Sequence, residues 1–106
     1  MTITTTASIT GKTITKYLGI VAGEAVIGSN LFDDLFRGIS GVVSSKSSKY
    51  QKDLISARHL AIKDMQLNAE KLGANAIVGV DLDYEVLDRG EVILMVIANG
   101  TAVVVE

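Results

Sequence analysis

From about Ser48 to Leu72 apolar residues recur at intervals of three and four, and no other feature of the chain narrows its possible folds as much. Tyr50, Leu54, Ala57, Ala61, Met65, Ala69 and Leu72 form the stripe, and Ile55 and Ile62 widen it. Lys49, Lys52, Lys63 and Gln66 fall largely outside it. This is the 3.6-residue period of an α-helix that turns one face to a core. Ser47 or Ser48 suits the N-cap, where a hydroxyl oxygen accepts from the first free backbone amides. Lys71 suits a last turn whose dipole favours a cation, and Gly73 suits a C-cap that needs a left-handed backbone. The spacing therefore predicts a long amphipathic helix lying on a flat apolar surface.

The flanking segments supply that surface. "TITTT" and "TITKYLGIVAGEAVIGS" are rich in Thr, Ile, Val and Tyr, and read as strands. In the second, Ile14, Lys16 and Leu18 alternate against Thr13, Thr15 and Tyr17 until Gly19 and Gly23 interrupt the pattern. Glycine inside a strand marks a bulge, a bend or a close approach, so a curve or break is expected near Gly23. Leu31, Phe32, Leu35 and Phe36 share one face of about two helical turns, which predicts a short extra helix bounded by Ser29 or Asn30 and by Gly38. The serine-rich "GVVSSKSSKY" reads as a loop.

After the long helix, "ANAIVGVDLDYEVL" begins with Ile77, Val78 and Val80 and turns to alternation at Asp81. Such a strand is buried on both faces at first and then on one. A turn at Asp88-Arg89-Gly90, a strand "EVILMVIA", a hairpin at Asn99-Gly100 and a last strand "TAVVV" complete an antiparallel meander. The sum is a two-layer α+β fold, a long helix on an antiparallel sheet with one short extra helix, in a single domain spanning 1–106.

A chain of 106 residues suits one domain, which buries roughly two thirds of its unfolded surface. A hydrophobic share of 48%, a charged share of 21% and a mean hydropathy of +0.38 are apolar for a small monomer. Burial of part of that surface between identical subunits is expected. No run approaches the ~18 apolar residues that span a bilayer, and "MTITTTASIT" lacks the basic start and apolar middle of a signal peptide. A cytoplasmic chain without membrane contact is expected. The absence of cysteine excludes disulfides and thiolate metal sites, and a net charge of −2 gives no electrostatic reason for nucleic-acid binding.

"GIVAGEAVIGSN" at 19–30, "ARHLAIKDMQLNAEKLGANAIVGVDLDYE" at 57–85 and "ANGTAVVVE" at 98–106 together resemble the YbjQ-like family. These are small bacterial proteins, largely uncharacterised, that carry a heavy-metal-binding label. The string Leu72-Gly73-Ala74-Asn75-Ala76 is the most specific part, because a generic helix–strand junction has no need of it. The resemblance implies a dodecin-like subunit assembled as a homopentamer. The chain departs from the family where relatives commonly carry Gly-Gly-Arg and Tyr-Glu before the long helix; here Gly41-Val42-Val43 and Tyr50-Gln51 stand there.

The candidate sites are few. Asp81, Asp83 and Glu85 share one strand face as a candidate site for a divalent cation. Their spacing of ~6.5 to 7 Å is too wide for one ion unless the backbone curves or another subunit contributes. The plainer alternative is a solvated strand face that discourages mispairing. Lys46, Ser47 and Lys49, with Tyr50 beside them, suit a small anion at the start of the long helix. The 41–48 loop is no true P-loop, because Ser45 stands where its second glycine belongs. Glu24, flanked by Gly23 and Ala25 in an apolar stretch, needs a partner such as Lys12, Lys16 or Arg37, or else faces a small pocket.

His59 is the single histidine and makes no zinc site with its own chain. No Ser–His–Asp set, catalytic carboxylate pair or dinucleotide fingerprint is present, so catalysis is not expected and no cofactor is indicated. The leading expectation is a non-enzymatic homo-oligomeric binding or scaffold protein. The alternative is a small-molecule or metal-ion binder whose site lies between subunits, near Glu24 and the 41–48 loop.

Overall fold

The computed structural model describes residues 1–28, 46–88 and 92–106. The expected short helix, the loop as far as residue 45 and the turn at 89–90 lie outside these described residues. The elements are β1 (Thr2–Ile3), β2 (Ile14–Gly28), α1 (Lys46–Lys71), β3 (Ala76–Asp88) and β4 (Val92–Val105). The strands form one sheet in the order β1-β3-β4-β2, with α1 packed on it. The α+β expectation holds, with one helix among the described residues.

The sheet is mixed, where a purely antiparallel one was expected. β3 and β2 both run antiparallel to β4, but β1 runs parallel to β3, with Thr2 opposite Ala76 and Ile3 opposite Ile77. The Thr4 amide donates to the Ile77 carbonyl at 3.0 Å. Past it, the Gly79 amide donates to Thr6 at 2.8 Å and the Val80 amide to Thr4 at 3.1 Å. Gly79, at φ 62, sits where the β3–β4 register shifts between Val78 and Asp81. Strand composition signals that a segment is extended, whereas its direction depends on such distant backbone partners.

Nor do Asn99 and Gly100 form a hairpin turn. β4 runs unbroken through them, with Asn99 paired to Ala22 and to Asp81. Gly100 is needed for space, because a Cβ there would lie 2.6 Å from Ile77 Cγ2 and 3.1 Å from Val80 Cγ2, side chains flanking the β3 irregularity. The predicted meander of three strands is therefore two long ones.

Gly23 corrects a second expectation. β2 neither breaks nor bulges there, since Gly23 pairs with Ala98 in continuous register; the register shifts fall at Ile14/Lys16 and Tyr17/Gly19. What Gly23 provides is close approach. A Cβ would collide with the Ala61 carbonyl and the Met65 amide, and would lie 2.8 Å from Met65 Cα. Ala57, Ala61, Met65 and Ala69 are fully buried against β2 and β4, with Leu54 and Ile62 half-buried beside them. Small residues on both sides set α1 almost in backbone contact with β2.

The helix begins at Lys46, so Ser47 and Ser48 lie within its first turn rather than at its cap, and the position before it is outside the described residues. Its other end follows the expected chemistry. Gly73 takes φ 87, its amide donates to Glu70 at 3.0 Å, and the Ala74 amide donates to Ala69 at 3.1 Å. This paired closure satisfies the last carbonyls of the helix. Asn75 then clasps the end of β4. Its Nδ2 donates to the Val105 carbonyl at 2.9 Å, and its Oδ1 accepts from the Val105 amide at 2.8 Å. The string Leu72-Gly73-Ala74-Asn75-Ala76 thus stops the helix, locks it to β4 and delivers a buried Ala76 into β3.

Candidate functional site

Cross-strand pairing brings together residues that are far apart in sequence. Leu94, Val96, Ala98 and Ala102 of β4 are buried toward α1, so Met95, Ile97 and Asn99 point to the opposite face. Glu24 and Asp83 both pair with Ile97, Val26 and Glu85 with Met95, and Ala22 and Asp81 with Asn99. Asp81, Asp83, Glu85 and Glu24 therefore share the face away from the helix, with Glu24 two strands from Asp83, about 10 Å at ordinary strand spacing.

One end of that face is covered. Ile9, Ile14 and Val105 pack on Ala76, Val78 and Val103, which buries the start of β3 on both sides as its apolar run predicts. Beyond Asp81 the face is open, with Val26 55% exposed and Met95 and Ile97 half-buried between the acids; at its margin Ile20, in the row of Thr101 and Val78, is 85% exposed.

Of the partners expected for Glu24, Arg37 lies outside the described residues, and Glu24 itself is exposed in the single chain. Its surroundings are informative at the backbone. The Glu24 amide donates to Asp64 Oδ2 at 3.1 Å, and Asn68 Nδ2 donates to the Ala22 carbonyl at 2.8 Å. Two α1 residues four apart thereby occupy the outer edge of β2, where unpaired groups would otherwise invite another strand. Sequence reasoning missed this pair. The only available signal was a polar i, i+4 couple flanking the apolar stripe, which is also what a solvated helix flank presents.

Lys46, Ser47, Lys49 and Tyr50 belong to the first turns of α1, which packs on the other face of the sheet. His59 is exposed on α1. Among the described residues no three His, Cys, Asp or Glu side chains converge to hold a metal ion. Soft heavy metals prefer thiolate and imidazole, and a chain with no cysteine and one histidine does not provide that donor set. The aligned carboxylates suit only a hard cation, and only if further ligands close the coordination shell.

Among the described residues these features define an α+β protein with one helix on a four-stranded mixed sheet, whose most distinctive surface is an acidic, partly apolar open face. The chain belongs to the YbjQ family, described as "Putative heavy-metal-binding", and the match spans residues 1–106. It is also similar in fold to a crystal structure of a protein of unknown function from Pediococcus pentosaceus ATCC 25745, assigned to the DUF74 family. That likeness has a TM-score of 0.70 at 19% identity and covers 100% of this chain and 98% of the other. No helix among the described residues is long and apolar enough to cross a membrane.

Proposed function

We propose that the chain is a non-enzymatic, cytoplasmic binding or scaffold protein that works as a homo-oligomer of dodecin-like subunits, a pentamer by family resemblance. The observation that carries this reading is the open sheet face, where Ile20 is 85% exposed and Val26 55% on a chain of mean hydropathy +0.38. Exposed apolar side chains grouped on one face mark an interaction surface. Exposed Leu60 and Leu67 on α1 extend the same argument to the opposite side of the subunit. Multi-angle light scattering on the purified chain tests it: an oligomer of defined mass is expected, and a stable monodisperse monomer overturns it.

The second reading, a binder of a hard divalent cation or small anion between subunits, draws support from the four carboxylates on one face. Symmetry repeats each acid around an assembly and supplies ligands that one chain lacks. Isothermal calorimetry with Mg²⁺ and Ca²⁺ should give a saturable isotherm that disappears in Asp81→Asn/Asp83→Asn; heats indifferent to the substitution rule the acids out. Lys46→Ala provides the corresponding test for inorganic phosphate at the start of α1.

A further inference from the structure

We propose that the open acidic sheet face is the docking surface for the outer face of α1 of a second copy of this chain. The inference rests on the homo-oligomeric reading above and names the surfaces that meet.

The two outer sides of the subunit differ in charge. On the sheet side, the rows Glu24–Ile97–Asp83 and Val26–Met95–Glu85 alternate carboxylates with apolar side chains. Asp81 continues the acidic edge beside Asn99, and no Lys, Arg or His occupies these paired positions. On the helix side, Lys52, His59 and Lys63 stand at i, i+7 and i+11, one ridge opposite the buried Asp53, Ala57, Ala61 and Met65. Ile55, Leu60 and Leu67 lie along that ridge, 40%, 56% and 49% exposed.

The acids of α1 offset only part of this charge. Asp53 is buried, Asp64 accepts from the Glu24 amide, and Glu70, at the far end of the same ridge, accepts from Gln66 Nε2 at 3.1 Å, yet Lys46, Lys49, Lys52, Arg58, Lys63 and Lys71 outnumber these three acids. Each outer surface thus mixes apolar area with charge, acidic on the sheet side and net basic on α1.

Symmetry favours the same pairing. Two acidic sheet faces meeting about a two-fold axis would set carboxylates against carboxylates, and like charges brought together oppose association. A sheet face meeting a helix face is a heterologous contact, in which each subunit offers a different patch to each neighbour. Such contacts close into rings when the rotation between subunits allows, and a ring with an odd number of subunits admits no other kind.

Two measurements test the surface separately from the existence of an oligomer. In the first, Asp81→Lys/Asp83→Lys and Lys52→Glu/Lys63→Glu are each expected to weaken association by at least about tenfold in sedimentation at moderate salt. Combining all four substitutions in one chain should recover it. Association indifferent to either reversal, or lost and not recovered by the combination, overturns the proposal.

The second measurement survives any folding defect in those variants. The natural chain has no cysteine, so His59→Cys and Asp83→Cys together place two thiols on opposite outer surfaces of one subunit. A short bismaleimide is expected to link copies only when both substitutions are present. Links in Asp83→Cys alone indicate sheet-to-sheet pairing and overturn the proposal, as does the absence of links in the double variant. A monomeric natural chain defeats this inference and the oligomeric reading together; an oligomer that fails the charge and linking tests defeats only this one.

Discussion

Toward α1 the sheet presents Val21, Gly23, Ala25 and Ile27 from β2 and Leu94, Val96, Ala98 and Ala102 from β4, all buried. Away from α1 the same two strands present Ile20, Glu24 and Val26, all exposed, and Met95, Ile97 and Asn99, all half-buried. The covered face is trimmed to small residues where the helix crosses, so its stability comes from close contact between backbones. On the open face bulk is retained and charge is added at the margins, so it gains little from the chain's own fold. One strand therefore serves two requirements that substitutions at neighbouring positions can separate.

The largest difference is expected between adjacent residues of β2. Gly23→Val puts a branched side chain into the Ala61 and Met65 backbone, which cannot yield as a flexible side chain would. Overpacking typically costs about 1 to 3 kcal/mol, and a backbone obstruction places this variant at or above the upper end. Ala22→Val, one residue away on the open face, should stay within about 1 kcal/mol. Urea midpoints for the two variants measure the contrast directly, and equal losses would remove it.

The methionines give a gentler version of the same comparison. Met65 is fully buried beneath the helix crossing, whereas Met95 is half-buried between Val26 and Glu85. Met65→Ala should cost about 2 to 5 kcal/mol through lost contact and a residual cavity. Met95→Ala should cost the folded subunit less, with its main effect on the assembled mass seen by light scattering.

Smaller again is the loss expected at Asn75. Asn75→Ala removes both bonds to Val105 while leaving the helix stop at Gly73 intact. Removing such paired bonds at an exposed position should cost about 1 to 2 kcal/mol and raise amide exchange at the end of β4. Unchanged exchange at Val105 would show that the clasp contributes nothing to holding β4.

Local chemistry was legible in the sequence, and long-range placement was not. The period of Ala57, Ala61, Met65 and Ala69 and the stop at Gly73 are settled within a few turns of chain, and they were read correctly. The two-sided burial at the start of β3 was also visible in its apolar run, whereas the expected one-sided burial beyond Asp81 reaches only the half-buried Leu82, because Tyr84 and Val86 are 44% and 52% exposed. The role of Gly100 was not, because a turn glycine and a close-approach glycine look alike until Ile77 and Val80 are known to press on it. Glu24 and Asp83 belong to strands that touch only through β4, so no local pattern could reveal that they share a face. The capping of the β2 edge by Asp64 and Asn68 depends on where the helix crosses, which the close approach at Gly23 decides.

The smallest expected effect on stability, from Asp81→Asn/Asp83→Asn, separates the two faces by its sign. Both side chains are exposed, and asparagine preserves their size, so packing is unchanged. Successive same-face acids lie ~6.5 to 7 Å apart, inside the Debye length of about 10 Å at 0.1 M salt, so they repel one another. Neutralising two of them relieves that repulsion, and the isolated subunit should melt at the same temperature or slightly higher, a gain below about 0.5 kcal/mol that fades as salt rises. If the face docks on the Lys52–Lys63 ridge of another copy, the same substitution removes attraction, and association weakens while the fold does not. Thermal melts paired with sedimentation across a salt series measure both signs. Weakened association together with an undiminished melt is the signature of charge kept for a partner, whereas a melt that falls in step with association would assign the acids to the fold itself.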